Sequence, residues 1–193
     1  MTNPSDPGRP RPANQGRRVA ARNRAALIAA AREVFAEQGL NAPLSAVARR
    51  AGVGQGSLYR HFADRTALAS AVLGENVRQI EQAAAEPDAT LTSVLGVVTW
   101  HVTRSTAFVD LLRLRGDDQE GRELSERVRG VLSHCPTDGP APLAVDDLML
   151  AVAMVSGAVT GPLPQRERQA LAAWRLLGIE VGPLRPVEAA ADE

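Results

Sequence analysis

The chain contains no lysine; all 22 of its basic residues are arginine. Walker A phosphate loops, Schiff-base catalysis and pyridoxal-phosphate attachment each require that amine, so all three chemistries are excluded. Cys135 is the sole cysteine among 193 residues. An intramolecular disulfide and a cysteine-rich zinc site are therefore impossible, which fits a reducing compartment. No window approaches ~18 uninterrupted apolar residues, and residues 1–15 lack the apolar stretch of a signal peptide. A soluble, cytoplasmic protein with no membrane partner is expected. Aromatic residues make up 3% of the chain, so each large ring is a scarce group for packing or for a pocket.

Charge is balanced overall, with 22 acidic residues against the 22 arginines, but it is divided along the chain. Residues 1–65 hold eleven arginines and four acids (Asp6, Glu33, Glu37 and Asp64), a net +7; residues 66–193 hold eleven arginines and 18 acids, a net −7. A basic N-terminal module joined to an acidic body points to a polyanion at one end.

Residues 1–19 combine Pro4, Pro7, Pro10 and Pro12 with Arg9, Arg11, Arg17 and Arg18. That composition cannot bury a core and predicts a disordered basic arm. From Ala20 onward Leu27, Ala31, Val34 and Phe35 share one helical stripe that ends at Gly39. Leu44, Val47, Ala48 and Ala51 then outline a two-turn helix that stops at Gly52, and Leu58 and Phe62 a second short one over 55–62. Leu68, Val72, Leu73, Val77 and Ile80 mark a long helix after Asp64, which is placed to cap it. Further helices are predicted at 89–105, 107–115, 120–134, 144–160 and 165–178, between prolines and glycines. With no alternating run long enough for a strand, the fold class is all-α, about nine helices by this periodicity.

Two short helices joined through Gly52-Val53-Gly54 have the size of a helix-turn-helix, spanning about residues 43–62. The second would be the reader: Gln55, Gly56, Ser57, Tyr59, Arg60 and His61 offer amide, hydroxyl, guanidinium and imidazole groups to base edges or phosphates. A plain helical hairpin with a solvated polar face is the alternative from pattern alone.

The residues also carry a family resemblance. Ala30 and Phe35 before Gly39, Val47-Ala48 followed by Ala51-Gly52-Val53, Ser57-Leu58-Tyr59, His61-Phe62 and Leu68 together make Arg24–Leu73 resemble the N-terminal domain of the tetracycline-repressor (TetR) family of bacterial regulators. The resemblance implies a helix-turn-helix DNA-binding domain over 21–80, a ligand-binding and dimerisation bundle over 81–178, and a flexible tail over 179–193. It implies a homodimer on a double-stranded DNA operator, an unknown small-molecule effector, and a repressor rather than an enzyme. Tyr59 and His61 would touch phosphates, with Gln55, Gly56, Ser57 and Arg60 nearest the bases; Ser45, Arg17 and Arg18 join the DNA-binding set. The family's usual lysine after the reading helix is Arg65 here, which keeps a positive charge for a phosphate.

Other motifs are weaker. Gly52-x-Gly54-x-Gly56 follows a helix rather than the strand that a dinucleotide loop needs. His134 and Cys135 are adjacent rather than one turn apart and His101 lies on another helix, so no metal is expected. No catalytic constellation emerges and no cofactor is expected. In the acidic body Val98, Trp100, His101, Val102, Phe108 and Leu111 are either core or the lining of an effector pocket with His101 as polar anchor. Leu148, Val152, Val155, Val159, Leu171 and Trp174 are either intrachain core or a self-pairing interface. A helical-bundle carrier or enzyme with a structural N-terminal hairpin is the alternative function, and the charge split argues against it.

Overall fold

A computed structural model of the chain describes residues 12–104, 119–137 and 143–187. Among these residues there are eight helices and no strand: α1 (Pro12–Gln38), α2 (Leu44–Arg50), α3 (Gln55–His61), α4 (Arg65–Ala84), α5 (Leu91–Arg104), α6 (Gln119–His134), α7 (Val145–Ala158) and α8 (Leu163–Leu176). The helix expected at 107–115 lies outside the described residues.

The helices form a head and a body joined through α4. In the head, α1 packs on α2, α3 and α4, so its stripe of Leu27, Ala31, Val34 and Phe35 is buried against Val47, Ala48, Leu58 and Phe62. In the body, α4 packs on α5 and α6, α5 on α8, α6 on α7, and α7 on α8. One continuous core runs through both, because Leu68, Val72, Leu73, Val77 and Ile80 of α4 are buried along its whole length. Asp64 caps α4 as its sequence position suggests, its carboxylate accepting from the Ala67 backbone amide at 2.8 Å.

Two expectations fail at the chain's ends. The segment expected as a disordered arm over 1–19 is helical from Pro12, and α1 runs unbroken from there to Gln38. All four prolines sit at or before position 12, and proline is tolerated in a helix's first turn. The residues that follow include Ala13, Arg17, Arg18, Ala20 and Ala21, strong helix formers onto which an already nucleated helix propagates. The tail expected to be flexible from 179 instead docks: Ile179, Val181 and Val187 pack against the core, and the Gly182 amide donates to the Thr92 carbonyl at 2.8 Å. Gly96 permits this approach, since a Cβ there would stand 2.6 Å from the Pro183 carbonyl oxygen.

Candidate nucleic-acid interface

The turn between α2 and α3 is built around Gly52, whose φ of +68° is a left-handed conformation that side chains other than glycine adopt at a cost. The Val53 amide donates to the Ala48 carbonyl at 3.0 Å and the Gly52 amide to the Arg49 carbonyl at 3.2 Å, the paired bonds of a Schellman end. This reversal swings the chain so that Leu58 of α3 drops into the head core beside Val47 while the opposite face of α3 stays outside. On that outer face Gln55, Gly56, Tyr59 and Arg60 are exposed, and Ser57 and His61 are half-buried at its edges. Tyr59 is 54% exposed, an unusual position for a large ring in a chain with so few. Ser45, exposed on α2, stands with α2's own exposed Arg49 near the same motif.

Arg65 does not present a free guanidinium beside this face. Its Nη1 donates to the Leu40 carbonyl at 2.5 Å and also to the Ala42 carbonyl, so the side chain is half-buried under the α1–α2 turn. The expected phosphate ligand thus spends its Nη1 on two carbonyls of the turn between α1 and α2. Arg50 is similarly engaged, gripping Glu33 at 2.8 Å and Glu37 at 2.9 Å on α1; these bonds hold the Glu37 carboxyl below its ordinary range and push the guanidinium's proton affinity up.

Arg24 gives the head a contact that periodicity alone did not reveal. Its guanidinium carbon lies 5.3 Å from the centre of the Phe62 ring, at the C-terminal end of α3. The first twelve residues of α1, including exposed Arg17, Arg18 and Arg22, therefore extend beyond the reading helix as a helical spur about 18 Å long.

The comparisons with known proteins agree with this geometry. Residues 27–72 match the model of bacterial regulatory proteins of the tetR family. A relative from Pseudomonas putida, the HTH-type transcriptional regulator SrpR, is 31% identical over 156 residues, which cover 71% of each chain. The chain belongs to the TetR family. It is a DNA-binding transcriptional regulator of the helix-turn-helix type. Among solved structures, a TetR transcriptional regulator from Streptomyces coelicolor is 29% identical with a TM-score of 0.56, over 85% of this chain and 99% of that one. GusR of Salmonella enterica shares the fold at 20% identity and a TM-score of 0.50, over 80% of this chain and 93% of its own.

Outside the TetR-type head, the structure divides the remaining sequence-predicted residues. Val98, His101 and Val102 are buried core side chains, and Trp100 lines an open cleft; Phe108 and Leu111 lie outside the described residues. Burial, with Arg32 and Arg104 nearby, drives the His101 pKa down to about 3, so its imidazole is neutral. Its ring meets Trp100 edge to face at 5.0 Å. Leu148, Val152, Val155 and Trp174 do not form an outward interface either: all four are buried within the single chain. Of the six, Val159 is half-buried and Leu171 is exposed.

The reason lies in α7, which is apolar nearly all round. Its inward stripe is Leu148, Ala151, Val152 and Val155; a second stripe of Leu150, Ala153, Met154, Gly157 and Ala158 faces out, with Leu150 59% and Met154 53% exposed. Helical spacing finds both stripes but cannot tell which one its own chain covers. Among the described residues no helix is long and apolar enough to cross a membrane.

Proposed function

We propose that this regulator is a repressor that binds a palindromic operator as a homodimer in the cytoplasm and leaves it when a small molecule binds the body, without a cofactor and without catalysing a reaction. The observation that carries the reading is the outward stripe of α7. A helix apolar on both sides is covered on both sides, and Leu150, Met154 and the small residues Ala153, Gly157 and Ala158 leave a flat surface for the same helix of a second copy. A twofold axis through that stripe pairs two reading heads, and half-sites about one helical turn, ~34–36 Å, apart match them.

On each half-site the N-terminal end of α3 enters the major groove. Gln55, Gly56, Ser57 and Arg60 meet base edges, while Ser45, Tyr59, His61, Arg17 and Arg18 meet phosphates. An effector that binds better to a body whose heads are wrongly spaced shifts the population off the operator.

The test joins gel-shift titrations on the promoter region beside the regulator's own gene with sedimentation. Met154→Arg, on the outward stripe, should give a folded monomer that has lost operator binding. Arg60→Ala should relax discrimination at particular base pairs by about 1–3 kcal/mol. A parent chain that sediments as a monomer, or a Met154→Arg protein that still dimerises, would remove the dimer; equal losses on operator and random DNA would remove base reading by Arg60.

A further inference from the structure

Where the head meets the body, a cleft of about 630 Å³ opens between α1, the end of α5 and the start of α8, within the size range of small-molecule sites. Arg32 and Ala36 line it from the head; Trp100, Arg104, Leu163 and Arg166 line it from the body. Its charges are unevenly matched. Glu33 and Glu37, at the rim, are both gripped by Arg50. Arg104 pairs with Glu167 at 2.8 Å and lies over the Trp100 ring at 4.9 Å, and Arg166 donates to the Gly161 carbonyl at 2.6 Å. Glu75, which acts on Arg32 from α4, is held by Arg78 through a 2.9 Å bond.

Arg32 is the guanidinium left over. Its Nε is buried without a hydrogen-bond partner, in contrast to the engaged guanidinium groups of Arg50, Arg104 and Arg166. Burial lowers its pKa and outweighs the attraction of Glu75 and Glu33. The residue as a whole is half-buried, so part of its charge has given up water and an anion in the cleft would restore a partner.

We propose that the cleft binds a small organic carboxylate with an apolar body, the carboxylate on Arg32 and the body against Ala36, Trp100 and Leu163. The planar guanidinium fork suits a carboxylate better than any neutral group does. Such a ligand ties α1, which carries the reading head's core, to α5 and α8 of the body. Its regulatory meaning rests on the ligand-responsive reading above.

Calorimetry with the full chain tests the site, with 1-naphthoate and octanoate as probes and their neutral amides as controls. At least one acid should bind saturably, and its amide about tenfold more weakly or worse. Arg32→Gln should weaken the acid by about tenfold and leave the amide unchanged. Should that variant fail to fold, Leu163→Trp, which fills the cleft and keeps every arginine, should abolish binding of the acid. The site is overturned if neither acid binds, if acid and amide bind equally, or if the folded variant binds the acid like the parent. Gel shifts with the same acids separate the two ideas: no acid binding with intact operator binding removes the cleft alone. Acid binding that leaves operator occupancy unchanged keeps the cleft and removes ligand-responsive repression.

Discussion

The indole nitrogen of Trp174 donates to the hydroxyl of Thr99 at 2.9 Å, inside the core, while that hydroxyl donates to the Leu95 carbonyl at 2.6 Å. The pair fixes α8 on α5, and it explains why Trp174 is unavailable to any outward interface. Thr99→Val keeps the shape but leaves a buried N–H without an acceptor, a loss of about 1–3 kcal/mol. Urea unfolding should show it as a lower midpoint at unchanged slope; an unchanged midpoint would mean that the bond contributes nothing net.

His101 makes stability depend on pH. Its pKa falls from an ordinary 6.5 to about 3 on folding, chiefly by burial, so below pH 6.5 the unfolded chain takes up a proton that the folded chain refuses. The stabilisation is complete above about pH 6.5 and declines toward pH 3, at up to about 1.4 kcal/mol per pH unit. Glu37, Glu75 and Glu81, held low by hydrogen bonds from Arg50, Arg78 and Arg127, add their own losses only below about 4.5. Between pH 6.5 and 4.5 the decline should vanish in His101→Phe. A slope that survives there belongs to another group.

Arg65 should behave as a structural residue. Arg65→Met removes the clamp on the Leu40 and Ala42 carbonyls and should cost about 2 kcal/mol without any DNA present. A phosphate ligand would act the other way, leaving stability alone and reducing the salt slope of DNA binding by about one. Thermal melts beside salt titrations distinguish them, with Tyr59→Ala as the reference for a contact that weakens all sequences.

The spur of α1 allows a test of rigidity against charge. Ala20→Pro keeps every arginine but breaks the helix between Arg18 and Arg22. If the helix aims Arg17 and Arg18 at the duplex, this variant should lose as much affinity as Arg17→Ala with Arg18→Ala. Full affinity in the proline variant would mean that a loose arm serves equally well.

What was legible from the residues follows from how many faces each helix buries. Most of the head could be read: α1, α2 and α3 each carry one apolar stripe, and Gly39 and Gly52 mark the ends of the first two with positive φ. The exposed polar set on α3 follows once Leu58 is assigned inward. The body was less legible, because Val155 and Met154 are neighbours of similar apolarity with opposite fates. The partners of Arg65 were illegible for a different reason. A charge at a helix start looks like a surface group until the carbonyls of a distant turn arrive beside it. The docked tail packs Ile179, Val181 and Val187 on the core, but its seat depends on close backbone approach at Gly96 and Gly182, two residues that carry no hydropathy signal.

That seat on α5 separates what may vary from what may not. The strap over 179–187 is held by the Gly182 amide on the Thr92 carbonyl, by its close approach to the bare Cα of Gly96, and by Ile179, Val181 and Val187 against the core. Its exposed side chains, Glu180 and Arg185 among them, can drift with little consequence, whereas alanine at 96 would push the strap off. A fusion partner or affinity tag placed after residue 187 respects that seat; one that replaces the strap exposes a strip of α5.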